Sequence, residues 1–299
     1  MPRLGHFRSG RAFDHFRAVY DAALAQLPPF DESVDVSTSF GAVRVYRFGA
    51  AEESPPVVLL PGRNASTPMW RANLPSLIGQ RTVYCLDLLG EAGMSVQTRP
   101  LTGPEDQAAW VDETLAGLGL DRAHLMGVSI GGWTATNCAV HRPDRVASLT
   151  LLDPAMTFAR IPVRAVVVSA ALFLPVPEVL RRSVFSWISG GAPVDESVPE
   201  AESLSAASAD FVLRAPMPKV FTDDQLRSVR MPVLALLAGR SVMHDAARAA
   251  ARARNLLPYG QLELWPDASH AINGEYPGEI AEVAAAFWRG VDGAGSEPI

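Results

Sequence analysis

The chain has 299 residues, of which 48% are hydrophobic and 19% are charged. This length fits one large domain with an inserted segment, or two small domains, and the composition is that of a globular enzyme. The formal net charge of −6 is spread without blocks of like charge, which argues against the basic face that nucleic-acid binding requires. Two cysteines, Cys85 and Cys138, form no disulfide framework and are expected to be buried free thiols.

The chain also lacks the sequence signals of secretion and of membrane insertion. Its N-terminus, MPRLGHFRSGRAFDHF, has no continuous apolar core of the kind found in secretory signals. The longest apolar run, AVVVSAALFLPVP from Ala165, is too short to span a bilayer and contains prolines. We therefore expect a cytoplasmic protein without a membrane partner.

The first predicted elements are a helix and a hairpin. Residues 11–27 carry apolar side chains at helical spacing, which predicts a helix packed on the outside of the main domain. The alternating runs SVDVSTSF and AVRVYRF, joined at Gly41, predict an antiparallel hairpin. Continuous apolar runs, typical of buried parallel strands, then recur as PPVVLLPG, RTVYCLDLLG, AHLMGVS, VASLTLLDP and MPVLALLAG, followed by the more alternating GQLELWP.

Segments with helical periodicity separate these strands. They read PMWRANLPSLIG, PEDQAAWVDETLAGLGL, IGGWTATNCAVHRP, DAARAAARARNLLP and EIAEVAAAFWRG. Alternation of strands and helices favours a parallel sheet with right-handed crossovers. The predicted fold class is therefore α/β, with a mostly parallel eight-stranded sheet, an antiparallel N-terminal hairpin and flanking helices.

One long segment interrupts the alternation. Residues 155–230 contain no clean strand, and such a stretch is too long for a plain connection. We interpret it as a helical cap inserted between two strands of the sheet. The predicted organisation is an N-terminal helical extension at 1–30, a core at 31–154 and 231–292, and a cap at 155–230.

The stretch HLMGVSIGGW, His124 to Trp133, contains the most specific chemical signal. GVSIG matches the G-x-S-x-G pattern, with a predicted strand running into the serine and a helix starting after it. This is the nucleophile-elbow arrangement, in which a tight turn exposes a reactive serine. Ser129 is therefore the candidate nucleophile.

A serine hydroxyl needs a base, and three histidines follow Ser129: His141, His244 and His270. His141 lies about three turns along the helix that follows the serine, which is too far. His270 lies in WPDASHAIN, directly after the last strand, where loops overhang the carboxyl edge of the sheet. We take His270 as the base.

The reaction also needs two N–H donors for the oxyanion. One is expected from Ile130, the residue after the nucleophile. The other is expected from Arg63, in the loop LLPGRNAS after the first parallel strand. Asn64 could add a side-chain donor, although a turn role is the stronger interpretation.

With these pieces in place, the chain resembles the α/β-hydrolase superfamily over residues of roughly 30–290. The matching pieces are LLPGRNAS, LDLLGEAGMS, GVSIGGW, HRPDRVASLTLLDP and PDASHAIN. The N-terminal helix and DLLGEAG resemble a bacterial subgroup of esterase-like serine hydrolases. The resemblance implies ester, thioester, amide or lactone hydrolysis without a cofactor or metal.

The chain departs from the family at the catalytic acid. The family usually places this acid after the strand VLALLAG, where the sequence reads GRSVMHD and Ser241 occupies the position. Asp153, at the end of LTLLD, is the preferred substitute because some members carry their acid there. Asp245 is the alternative, although it is also a candidate N-cap of the next helix.

The sequence thus predicts a serine hydrolase that acts on a small, largely apolar acyl substrate through an acyl-enzyme. Phe173, Phe185 and Trp187 of the cap are expected to form an apolar lid over its pocket. The departure at Ser241 motivates one alternative, a cyclase, C–C lyase or cofactor-free peroxidase on the same scaffold. A non-catalytic small-molecule receptor is a further alternative, against which the presence of Ser129 and His270 argues. The sequence indicates neither the natural substrate nor the oligomeric state.

Overall fold

The computed structural model describes residues 4–49, 54–170, 176–191 and 198–294. Its strands are β1 (His6–Phe7), β2 (Glu32–Thr38), β3 (Gly41–Phe48), β4 (Val57–Leu60), β5 (Val83–Leu86), β6 (Val96–Gln97), β7 (Ala123–Val128), β8 (Val146–Leu152), β9 (Phe211–Val212), β10 (Val233–Ala238) and β11 (Gly260–Trp265). Its α-helices are α1 (Gly10–Leu24), α2 (Leu74–Ile78), α3 (Pro104–Gly117), α4 (Ile130–His141), α5 (Val163–Ala170), α6 (Glu178–Ile188), α7 (Pro199–Asp210), α8 (Asp223–Ser228), α9 (Ala246–Leu256), α10 (Ile272–Glu275) and α11 (Pro277–Ala294).

Eight strands form a continuous sheet in the order β11-β10-β8-β7-β4-β5-β3-β2, and the short β6 pairs with β3 beside that path. Neighbours from β11 to β5 are parallel. In contrast, β2 and β3 form an antiparallel hairpin, and β3 also runs antiparallel to β5. The predicted mostly parallel sheet with its N-terminal hairpin is confirmed. The two residues of β6 are too few to produce a periodic pattern in the sequence.

Apolar side chains fill both faces of the sheet. Every residue of β4, β7, β8 and β10 is buried, which explains their continuous apolar runs. Trp110 of α3 and Ala249 of α9 belong to the core on one face, and Phe16 of α1 and Trp288 of α11 to the core on the other. Helices therefore cover both faces, and the carboxyl edge of the parallel strands is left for loops.

The segment PMWRANLPSLIG does not form one helix. It folds as a 3₁₀ turn at Thr67–Trp70 followed by the short α2. Each piece carries a proline in its first turn, Pro68 and Pro75. Proline lacks the N–H that a continuous helix needs and disfavours helical geometry in the residue before it, so the helix is split.

The segment between β8 and β10 contains α5 to α8 and β9, so it is mainly helical as expected. The sequence pattern assigns no element to the serine-rich stretch at 199–209, yet this stretch forms α7. Pro199 lies in the first turn together with Glu200 and Glu202, where proline and acidic side chains favour helix initiation. Small residues on one side of α7 are buried, which stabilises the helix through packing rather than periodicity of large apolar residues.

The N-terminal helix binds the inserted segment as well as the core. β1 pairs antiparallel with β9, so that Phe7 lies opposite Phe211, with ring centroids 5.1 Å apart. Phe16 and Tyr20 of α1 are buried against the core.

Cys85 and Cys138 are free and buried, as predicted. Within the described ranges, no helix is long and apolar enough to cross a membrane.

Candidate active site

Ser129 lies in a strained turn between β7 and α4. Its φ of 54° is in the left-handed region, which a non-glycine residue rarely adopts. Side chains at Gly127 and Gly131 would not fit: a Cβ at Gly127 would lie 2.3 Å from the carbonyl group of Gly131, and one at Gly131 would lie 2.0 Å from the carbonyl oxygen of Leu60. The glycines of GVSIG therefore allow backbone segments to approach closely and hold the serine in place.

His270 lies on the loop between β11 and α10, as predicted, and its ring faces the serine. Its Nε2 is 2.9 Å from Oγ of Ser129. The preceding residue anchors the loop, because Ser269 donates hydrogen bonds from its N–H and its hydroxyl to the carboxylate of Glu275 at 2.7 and 2.6 Å. The imidazole is thus placed where it can accept the serine proton.

Asp153 is the carboxylate that contacts His270. Its Oδ2 lies 2.6 Å from Nδ1 of His270, and its side chain is completely buried at the end of β8. Burial alone raises the pKa of Asp153, but contacts with His244 and His270 outweigh it and hold this pKa well below its ordinary value. The carboxylate is therefore anionic at neutral pH and can stabilise a positive charge on His270.

Asp245 and Ser241, which lie at or near the position where the family usually has its acid, have different roles. Asp245 caps α9: its Oδ1 accepts the N–H of Arg248 at 3.0 Å, and the residue is exposed. Its carboxylate thus satisfies a helix terminus, whereas the carboxylate that contacts His270 within the described residues is that of Asp153. Ser241, at the position where the family usually has its acid, donates its hydroxyl proton to Oδ2 of Asp153 at 2.6 Å.

The two backbone N–H groups predicted as oxyanion donors, those of Arg63 and Ile130, belong to segments that lie close to Ser129. Ile130 begins α4, so its N–H has no acceptor within the helix. The loop after β4 reaches the serine, since a Cβ added to Gly62 would lie 3.6 Å from Cβ of Ser129. Neither N–H donates a hydrogen bond within the described part of the chain. Both N–H groups therefore have the capacity to donate to a bound oxyanion.

The residues beside Arg63 fix the conformation of this loop. Asn64 has a φ of 57°, and its amide donates to Oγ of Ser208 on α7 at 3.2 Å, so it acts as a turn residue. Buried Glu91 accepts the Asn64 N–H at 3.3 Å and lies 3.3 Å from a guanidinium nitrogen of Arg63. Burial raises the pKa of Glu91 despite these two partners. The sequence pattern did not identify Glu91.

Asp87, also missed as a functional residue, joins three segments around the site. It is fully buried and accepts hydrogen bonds from the N–H and hydroxyl of Thr67, both at 2.8 Å. It also accepts the Met94 N–H at 2.8 Å and the Tyr20 hydroxyl at 2.9 Å. The loops after β4 and β5 are thereby tied to α1. The available signal was an aspartate directly after a buried strand in LDLLGEAGMS.

A small cavity, of about 20 Å³, is lined by Ile130, the residue that follows Ser129 in the chain. Its wall comprises Arg63, Leu88, Leu89, Glu91, Gln107, Trp110, Trp133, Thr134, Ala215, Pro216 and Pro218. The predicted lid residues lie elsewhere. Phe185 lines a separate groove of about 360 Å³ between α1, α6 and α7, Trp187 lies beneath Arg164, and Phe173 falls outside the described residues. The inserted segment contributes Ala215, Pro216 and Pro218 to the wall of the cavity at Ile130.

Comparisons with known proteins agree with this geometry. A family model described as the alpha/beta hydrolase family matches residues 57–283. The uncharacterized carboxylesterase nap of Bacillus subtilis (strain 168) is 29% identical over 280 residues, which cover 92% of each chain. The crystal structures of carboxylesterase CesB (YbfK) and of naproxen esterase (carboxylesterase NP), both from Bacillus subtilis, are each 26% identical and superpose with TM-scores of 0.86 and 0.85. Each superposition covers 94% of this chain and 99% of the other. The chain belongs to the alpha/beta hydrolase family, as its resemblance to esterase-like hydrolases predicts.

Proposed function

We propose that the protein is a serine carboxylesterase in which Ser129, His270 and Asp153 form the catalytic triad. The observation that carries this proposal is the unbroken chain of contacts from Oγ of Ser129 through the His270 ring to the Asp153 carboxylate, at 2.9 and 2.6 Å. Nucleophile, base and orienting acid are the three parts that serine-based acyl transfer requires. The full-length similarity to Bacillus carboxylesterases supports the assignment of the reaction.

In the proposed reaction, His270 removes the hydroxyl proton as Ser129 attacks the ester carbonyl. The N–H groups of Arg63 and Ile130 stabilise the oxyanion, and Asp153 stabilises the imidazolium. His270 then gives the proton to the leaving alcohol, which leaves an acyl group on Ser129. Water, deprotonated by His270, releases the acid and restores the serine. The protein needs no cofactor or metal for these steps.

The wall of the cavity at Ile130 favours a small, largely apolar ester, thioester or lactone. Leu88, Leu89, Trp110 and Trp133 supply apolar surface to this cavity. Because a space of about 20 Å³ holds little more than one water molecule, we expect residues 215–218 to move when a substrate enters. The similarity to naproxen esterase suggests a naproxen ester as one test compound.

The alternative of a non-hydrolytic enzyme rested on the missing acid at Ser241. In the structure a buried carboxylate contacts His270 from β8, so this reason for favouring it no longer applies. A receptor has no use for a strained serine in contact with a histidine, and strain of this kind is typical of reactive sites. Hydrolysis is therefore the single function proposed.

The experiment compares the wild type with Ser129→Ala and with Ser203→Ala. Ser203 is a matched control, because it is buried and its hydroxyl has no hydrogen-bond partner within the described residues. The wild type and Ser203→Ala should hydrolyse p-nitrophenyl acetate and butyrate and a naproxen ester. Ser129→Ala should lose this turnover by about 10⁴-fold or more. A fluorophosphonate probe should form an adduct on Ser129, identified by mass spectrometry. Ester turnover that survives in Ser129→Ala, or a folded wild type without the adduct, would overturn the proposal.

A further inference from the structure

A second histidine touches the Asp153 carboxylate from the side opposite His270. His244 lies in the loop between β10 and α9 and is 4% exposed. Its Nε2 is 3.0 Å from Oδ1 of Asp153, a close contact rather than a well-aligned hydrogen bond. Neither ring nitrogen has another hydrogen-bond partner within the described residues. The triad mechanism makes no use of this histidine, and burying its polar ring without a partner would be costly.

The two oxygens of Asp153 are held by different partners. Oδ2 receives the hydroxyl of Ser241 and contacts His270, both at 2.6 Å. Oδ1 accepts the backbone N–H of Ala238 at 3.0 Å and faces His244. The strand end and loop after β10 thus supply three groups, Ala238, Ser241 and His244, to a carboxylate that belongs to a neighbouring strand. A carboxylate held on both oxygens cannot rotate without breaking several contacts.

We propose that His244 is a positioning residue, which donates its Nε2–H to Oδ1 of Asp153 and so keeps Oδ2 directed at His270. This inference rests on the proposed function, because the orientation of Asp153 matters only if His270 acts as a base. His244 does not line the cavity at Ile130, so its loss should lower kcat and leave KM nearly unchanged. Loss of a hydrogen-bond partner that orients a metal ligand commonly lowers affinity or activity by about 10- to 100-fold, and we expect an effect of similar size on kcat here.

The pH dependence of the reaction gives a readout that a merely structural role would not change. A donor on Oδ1 withdraws negative charge from Oδ2 and thereby lowers the basicity of His270. Its removal should raise the basicity of His270 and move the acid limb of kcat/KM to higher pH. Two other charged residues of the same loop make contacts elsewhere: Arg240 donates to the Gly190 carbonyl oxygen, and Asp245 caps α9.

The kinetic experiment uses His244→Gln and His244→Met in the full chain. The two replacements have nearly equal size, but only glutamine keeps an N–H donor. His124→Gln is the matched control, since His124 is also buried and contacts a carboxylate, that of Asp292, at 3.2 Å. With p-nitrophenyl butyrate, we expect the kcat of His244→Met to be lower than that of the wild type by about tenfold or more, while its KM stays within about twofold. The acid limb of its kcat/KM profile should shift to higher pH. In His244→Gln, much of the lost kcat should return. A folded His244→Met enzyme with wild-type kcat and acid limb, or a folded Gln variant as impaired as the Met variant, would overturn the proposal.

A second measurement uses the wild type and does not depend on the folding of a variant. In the ¹⁵N NMR spectrum of histidine-labelled protein, the signals of His244 are identified by their absence in a His244 variant spectrum or by triple-resonance assignment. We expect its Nε2 to carry a proton at neutral pH. A His244 ring protonated only at Nδ1 contradicts the proposal. Ester hydrolysis by the wild type tests the triad separately, so failure of that function and failure of the His244 role can be distinguished.

Discussion

The hydroxyl of Ser241 donates to Oδ2 of Asp153, the same oxygen that contacts Nδ1 of His270. The side chain at position 241 thus ends within hydrogen-bond distance of the triad carboxylate, although the carboxylate itself comes from β8. The loop after β10, where the family usually has its acid, here binds the carboxylate that we propose as the acid, which follows the neighbouring strand β8. Two predictions about the location of the negative charge follow from this contact.

The first prediction concerns removal of the charge at Asp153. Asp153→Asn should lower kcat by about 10³- to 10⁴-fold, because the imidazolium of His270 loses its anionic partner and its preferred tautomer. Asp245→Asn should stay within about threefold of wild type, since asparagine also caps helices. Steady-state hydrolysis of p-nitrophenyl butyrate measures both effects. Equal losses in the two variants would contradict the assignment of Asp153 as the acid.

The second prediction concerns relocation of the charge. The double variant Asp153→Asn with Ser241→Asp should have a kcat at least about tenfold higher than that of Asp153→Asn alone. The reason is that the new carboxylate at position 241 lies next to the contact between residue 153 and His270. Ser241→Asp alone places two carboxylates together and should reduce activity through like-charge repulsion. The kcat values of the three variants, measured with p-nitrophenyl butyrate at one pH, test this prediction. A double variant no faster than Asp153→Asn would show that position 241 cannot supply the acid.

The sheet and the pair Ser129–His270 could be predicted because each rests on a local signal. Continuous apolar runs mark β4, β7, β8 and β10, and the glycines around Ser129 mark the turn. The acid could be narrowed only to two aspartates, because local sequence cannot show which carboxylate reaches His270 across the sheet. The sequence did indicate that Asp245 could cap a helix, and in the structure Asp245 caps α9.

The contacts of His244, Glu91 and Asp87 depend on long-range packing, and no periodic pattern in the sequence indicates them. His244 directly precedes the cap residue of α9, and nothing local indicates that its ring faces the end of β8. Short elements were missed for the same reason: β1 and β9 are two residues each and gain their stability by pairing across the chain. The lid prediction was wrong for Phe185 because apolar character alone does not indicate which of two cavities a helix faces.

A third prediction concerns stability at acidic pH. Burial, and next the nearby Arg81 charge, lower the pKa of His124 to about 4, although Asp292 acts in the opposite direction. In the unfolded chain a histidine titrates near pH 6.5. Between these values the unfolded state binds more protons, so the free energy of unfolding should fall as the pH is lowered through this window.

A single group whose pKa differs this much between the folded and unfolded states lowers the free energy of unfolding by at most about 3 kcal/mol on acidification. Urea unfolding of wild type and His124→Gln at pH 7, 5.5 and 4.5 measures its share. The variant should be less stable at pH 7 but lose less stability on acidification than the wild type. Parallel losses in both proteins would contradict a role for His124 in acid sensitivity.

The fourth prediction concerns the close approach of backbone at the nucleophile. Gly131→Ala should reduce the free energy of unfolding by about 2 kcal/mol or more, because the new methyl group overlaps the Leu60 carbonyl oxygen. Esterase activity should fall as well, since β4 and the following loop, which carries Arg63, must shift. Gly290→Ala is the control: its Cβ meets no atom within 4 Å, and alanine favours the helix by about 0.5–1 kcal/mol. Thermal and urea unfolding of both variants test this, and a Gly131→Ala protein as stable as wild type would contradict it.

The pairing of β1 with β9 has a consequence for synthesis on the ribosome. His6 lies opposite Val212, so the partner of β1 is made about 200 residues later. At the usual rates of roughly 5 to 20 residues per second, this delay is about 10 to 40 s. During that time β1 and the face of α1 that meets α7 have no partner, and their aromatic side chains remain exposed to water or to a chaperone. The segment that contains β1 and α1 is therefore synthesised early but reaches its final contacts late, and it is open to aggregation in the interval.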